Sequence, residues 1–207
     1  MILLPKKSGI KEDVVMALPI GYRSERVEYL EQEASKYQVS ELWNLTNEDF
    51  IILGKYIQMY CFIELNIHRL FNLIVSMGLF EIKSKDRVNV AYILDKLIEL
   101  VGDNLVESSK VDETIGKLKE IKLRRNYRNI FAHWAAKKIP NEDGMIFFAS
   151  DDSDYKKKFG RKINADIAAY AIFDVADIRG LVTHLSSYEE WIAHFSAEVY
   201  EQHRKHR

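Results

Sequence analysis

The sequence predicts an all-α fold: an antiparallel bundle of four to five helices with a small β-hairpin inserted before the C-terminal helix. Three observations carry that expectation. Apolar side chains recur at three- and four-residue spacing over long stretches. The 207 residues include only 9 Gly and 3 Pro, so few breakers interrupt those stretches. One apolar run of strand length, Met145–Ala149, follows the turn cluster Asn141-Glu142-Asp143-Gly144. Hydrophobic residues make up 47% and charged residues 29%, a balance that lets a chain of this length bury a core without a metal or disulfide staple.

Residues 1–45 read as an N-terminal arm with a short helix, and residues 46–207 as the helical-bundle domain. The first 23 residues hold Pro5 and Pro19 and no helical period. Ser24 then opens a short surface helix with Val27, Leu30 and Ala34 at helical spacing and acids in its first turns, where the helix dipole favours them. Thr46-Asn47-Glu48-Asp49 has the form of a capping box with Asp in place of Glu, opening an apolar helix to about Leu79. Within it Glu64 and His68 stand four apart on one face, either as a surface pair or as a carboxylate orienting an imidazole.

A third helix spans Asp86–Val101, with Val90, Ile93, Leu94 and Leu97 inward and Gly102-Asp103-Asn104 as its stop. The fourth, capped by Ser108, Ser109 or Asp112, runs to about Ala136, before Pro140 forbids continuation. Asp151, Asp152 and Asp154 read as a solvated acidic loop, and Tyr155–Lys162 as a basic one. Ala168–Phe173 pairs with Met145–Ala149, and Asp174 or Asp177 caps a last helix with Ile178, Leu181, Leu185, Tyr188, Trp191, Ile192 and Phe195 inward. The tail is read as solvated, although His203 and His206 stand three apart.

The fourth helix carries the stretch of most chemical interest, Lys122–Trp134, KLRRNYRNIFAHW. Stepping along one face gives Val111, Ile115, Leu118 and Ile121, then Arg125, Arg128, Asn129, Ala132 and His133, so an apolar stripe is expected to turn polar without changing face. Such a break marks a satisfied buried network or a functional site. Asn129 and His133 are neighbours at i and i+4. Arg128 and His133 stand about 140° apart on an ideal helix, so they meet only if the last turn is distorted, the Arg side chain wraps back, or two copies of the helix face each other across a dimer.

Imidazole, with an ordinary pKa of about 6.5, serves as base or acid near neutrality, and guanidinium offers a charged fork to phosphate oxygens. No metal-ligand set accompanies them. The reaction open to such a pair is attack by an RNA 2′-hydroxyl on its own phosphate, which leaves a 2′,3′-cyclic phosphate and a 5′-hydroxyl. The same spacing recurs at Arg179–His184, RGLVTH, without the Asn, the Ala before His, the core stripe or the basic flank.

The net charge is −1, yet Lys117, Lys119, Lys122, Arg124, Arg125, Arg128, Lys137 and Lys138 face only Glu120 over their span. That patch suits a phosphate backbone or a solvated helix face, and Lys122, Arg124, Arg125, Lys137 and Lys138 are the candidate RNA contacts. The lone Cys61 lies in an apolar run and reads as a buried small hydrophobe in a reducing compartment. Met1–Leu4 is too short for a signal segment, and no apolar run is read as approaching a membrane span, so a cytoplasmic protein with no membrane partner is expected.

At RNIFAH, Arg128–His133, the chain resembles the HEPN superfamily, whose signature is Arg, four to six residues, then His, often with Asn after the Arg. The likeness extends loosely over residues 46–202. It implies a helical bundle, a homodimer with a composite cleft, no cofactor, and metal-independent endoribonuclease activity, often in toxin–antitoxin or antiviral-defence systems with an antitoxin or defence partner protein. It also implies roles: Arg128 binds and polarises the scissile phosphate, His133 is general base or acid, and Asn129 orients one of them. Some members of the superfamily keep the fold without the chemistry, so the other expectation is a non-catalytic helical interaction or dimerisation module.

Overall fold

The structure, a computed structural model, describes residues 24–83, 88–149 and 170–204, apart from the side chains of Asn104, His203 and Arg204. The irregular arm, Asp86, the acidic and basic loops after Ala149, Ala168 and His206 lie outside the described residues. Five α-helices are described: α1 Glu25–Ala34, α2 Asn47–Ser76, α3 Val90–Leu100, α4 Val111–His133 and α5 Val175–Arg204. With them stands one antiparallel sheet of strands β1 Ala135–Lys138, β2 Gly144–Phe148 and β3 Tyr170–Asp174, in the order β1-β2-β3. The chain is therefore mostly helical with a small sheet, and that sheet has one strand more than the expected hairpin.

The additional strand corrects the end of the fourth helix. α4 stops at His133, and Ala135–Lys138 pairs with Phe148–Met145 of β2 instead of extending the helix to Ala136. The expected pairing of the other two strands is present from Gly144↔Asp174 to Phe148↔Tyr170. Asn141, with φ of 61°, takes the left-handed turn between β1 and β2, a conformation that Asn tolerates better than most residues.

Contacts divide the chain into two compact units, Met1–Lys55 with Asn126–Leu181, and Tyr56–Arg125 with Val182–Arg207. The first unit holds the sheet. On one face of it α1 and its following turn bury Val27, Leu30, Ala34 and Leu42 with Ile139, Ile146, Tyr170 and Ile172. Ser24 caps α1 by accepting the Val27 N–H at 3.2 Å. Arg26 reaches Glu142 at 2.9 Å and Asp174 at 3.2 Å. The Tyr29 hydroxyl, donating to Glu142 at 2.7 Å, joins Arg26 in holding that carboxyl below its ordinary range.

Gly144 lets α1 approach this closely. A Cβ there would stand 2.7 and 2.9 Å from the two Leu30 methyls and 3.2 Å from Ile139 Cδ1. Gly144→Ala is expected to destabilise the protein by about 1–3 kcal/mol through overpacking. In a denaturation series the double variant Leu30→Ala/Gly144→Ala should lose less than the sum of the two single losses.

The capping box forms with Asp as read. Asp49 Oδ2 accepts from the Thr46 N–H and hydroxyl, both at 2.8 Å, and the Asp49 N–H returns to Thr46 Oγ1 at 3.3 Å. Lys138 Nζ lies 3.3 Å from Asp49 Oδ1 and 3.5 Å from Asp143 Oδ1. Burial pushes the Asp49 carboxyl up, but the Thr46 hydrogen bonds and the Lys138 ammonium outweigh it and hold the group below its ordinary 3.8. Its contribution is therefore full above 3.8 and is lost as pH falls through the lower folded-state value. Asp49→Asn is expected to cost about 1–3 kcal/mol at neutral pH and to flatten this part of the acid limb, read by urea unfolding at stepped pH.

In the second unit α2 buries Tyr56, Tyr60, Ile63, Ile67, Leu70, Phe71 and Ile74. The hydroxyls of Tyr56 and Tyr60 donate to the carbonyls of Arg124 and Ile121 at 3.0 and 2.9 Å, which ties α2 to α4. Its end is set by Gly78, at φ of 74°, with Leu79 N–H to Ile74 O and Gly78 N–H to Val75 O, the double bond pattern of a glycine C-terminus. α3 starts at Val90 under the Asn89 cap, later than read, and continues through a π turn, Val101–Leu105. Cys61 is half-buried and free. By length and composition α2 could cross a membrane, which corrects the reading that no stretch approaches that length; core helices of soluble proteins can be as long and as apolar.

Candidate active site

α4 remains a regular α-helix through His133, and the Trp134 N–H still reaches the Ile130 carbonyl at 3.0 Å. Its end in the first unit is anchored by Tyr127, Ile130, Phe131 and Trp134, all buried. Phe131 meets Phe147 with ring centroids 5.3 Å apart and Phe173 at 5.1 Å, while Tyr127 stands edge-on to Phe173 at 5.9 Å. Phe147 and Phe173 in turn meet edge-on at 5.6 Å. Such aromatic pairs add to their area burial and fix orientation, so the last two turns of α4 are held on this face of the sheet.

That anchoring gives the end of α4 an apolar face of its own. Past Ile121 the buried positions are Tyr127, Ile130, Phe131 and Trp134, about 80–180° around the helix from Ile121, while Arg125, Arg128 and Ala132 continue the side of Ile121. Arg128 and Asn129 are half-buried, and Ala132 and His133 are exposed. The side of Ile121 thus turns from apolar to polar as expected, and the apolar face of the helix moves to another side. Within it Arg128 Nη1 donates to Asn129 Oδ1 at 3.2 Å, so the amide steadies the guanidinium. A regular last turn also removes helix distortion as a way for Arg128 to join His133.

The candidate RNA contacts have partners of their own. In the second unit Lys122 pairs with Asp95, both exposed. Arg124 lies 3.3 Å from Glu120 with its guanidinium over the Tyr188 ring, and Arg125 Nε stands 3.8 Å from Glu64. In the first unit Lys137 donates to Asn44 Oδ1 at 2.6 Å, and Lys138 is held by Asp49 and Asp143. Surface pairs such as Lys122–Asp95 are worth little and exchange readily for phosphate, whereas Lys138 supports the α2 cap. Arg179 and His184, the second copy of the spacing, are exposed on α5.

Among the described residues no three His, Cys, Asp or Glu side chains gather as a metal-ligand set. The sequence reading passed over Trp43, which is 51% exposed and whose backbone bridges to Lys138. The available signal was an indole standing three residues before a capping box in a polar stretch. Comparison with protein-family models, with curated proteins and with solved structures finds no match.

Proposed function

We propose that this chain is a metal-independent endoribonuclease of the HEPN kind that works as a homodimer in the cytoplasm, in a toxin or antiviral-defence setting. The observation that carries the reading is the helix end itself: His133 exposed, Arg128 steadied by Asn129, and the whole turn pinned from behind by Phe131, Phe147 and Phe173. Rigid backing with an outward acid–base and anion-binding pair is what general acid–base catalysis on a phosphodiester needs.

On a regular helix Arg128 and His133 stand about 140° apart, so a second copy facing the first supplies the complementary pair. One His133 takes the proton from the RNA 2′-hydroxyl as its oxygen bonds to phosphorus. The 5′-oxygen leaves and receives a proton from His133 of the second copy, with the Arg128 guanidinium balancing the charge that grows on the phosphoryl oxygens. The test is cleavage of single-stranded RNA in EDTA with cyclic-phosphate ends. A parent protein that dimerises but leaves RNA intact would place the chain among the non-catalytic interaction modules.

A further inference from the structure

The geometry points to Trp43 as a base-stacking platform that takes a single-stranded RNA base beside the candidate active site. Trp43 is half in solvent, and among the described residues its indole has no ring contact and no hydrogen bond. The other two tryptophans are used internally: Trp134 is buried, and Trp191 lies stacked on Phe195 with the Lys117 ammonium over its ring.

An exposed indole on a loose loop would mean little. Trp43 is instead fixed by two backbone bonds to β1, its N–H to the Lys138 carbonyl at 3.1 Å and the Lys138 N–H to its own carbonyl at 2.9 Å. Asn44, beside it, holds Lys137. Lys138 is itself braced by Asp49 and Asp143, so the platform rests on a supported strand.

His133 stands two residues before that strand begins. Lys138 is five steps along the chain from His133, so their backbones stand at most about 18 Å apart, a span that a single strand of RNA crosses in a few nucleotides. A flat π-face held rigid, open to solvent and next to a lysine whose partner is a neutral amide is suited to stack a base while the ammonium meets a phosphate. Bases of a duplex are already stacked, so the platform selects single strands.

This inference rests on the ribonuclease reading, and its test separates the two. Binding of a short unstructured RNA to the full chain carrying His133→Ala is measured by fluorescence anisotropy, beside the same protein with Trp43→Ala, Trp43→Phe or Phe50→Ala. Trp43→Ala is expected to weaken binding about tenfold and Trp43→Phe less, with duplex binding and thermal midpoint unchanged. With His133 restored, Trp43→Ala should raise KM with little change in kcat. Phe50→Ala, an exposed apolar change on α2, should leave RNA binding unaltered; equal losses from Phe50→Ala and Trp43→Ala would overturn the platform, because the effect would not depend on the Trp43 ring. Unchanged binding and KM in Trp43→Ala, with cleavage by the parent intact, would overturn the platform and leave the ribonuclease standing. A parent that neither binds nor cleaves RNA overturns both.

Discussion

Alanine at His133 or Arg128 is expected to lower EDTA-resistant RNA cleavage by about 10²–10⁴-fold, the range that positioned acid–base and oxyanion groups supply. His133 is exposed, so His133→Ala should change folding stability by no more than about 0.5 kcal/mol, and the loss of rate cannot be assigned to unfolding. Arg128→Lys keeps the charge without the planar fork and should recover only part of the rate. Mixing the two alanine variants should not restore the full rate, because a mixed dimer holds one His133 where the reaction uses two. Wild-type rates in either single variant would sink the catalytic assignment.

The largest effect on stability is expected at Phe131. Phe131→Ala removes a ring packed against both Phe147 and Phe173 and should cost about 3–5 kcal/mol in chemical denaturation. Phe173→Ala should match it, since Phe173 also meets Tyr127. Phe131→Leu, which keeps an apolar branched side chain but not the ring, should cost less. The Phe131→Ala protein should also cleave poorly where it is still folded, because the turn bearing His133 loses its backing. A cost under about 1 kcal/mol would show that the helix end is anchored by something other than this cluster.

The helices were legible because their periods are long and their caps are local. Ser24, the Thr46–Asp49 box and the apolar spacing of α3 and α5 act within a few residues, so sequence carries them directly. β1 was not legible. Ala135-Ala136-Lys137-Lys138 has helical composition and becomes a strand only because β2 and Trp43 flank it, a tertiary demand that outweighs propensity. The turn from apolar to polar on the side of Ile121 was legible, but the new apolar face was not. Tyr127, Phe131 and Trp134, at i, i+4 and i+7, were a competing apolar stripe in plain view, and large aromatic rings took the core while the shorter polar side chains were left outside.

The bonds that close the sheet-bearing unit span long stretches of chain. Arg26 reaches Asp174 across 148 residues, Tyr170 reaches Glu31 across 139, and Lys138 reaches Asp49 across 89. Loop closure over such separations must precede any reward from the contacts, so this unit is expected to assemble late. On the ribosome, the surface that buries α1 is complete only once β3 has emerged, with most of the chain already made. The backing of His133 depends on Phe173 of that same strand, so the proposed nuclease would be disarmed throughout its own synthesis. A timing device of this kind would suit an enzyme whose substrate class includes the messenger being translated.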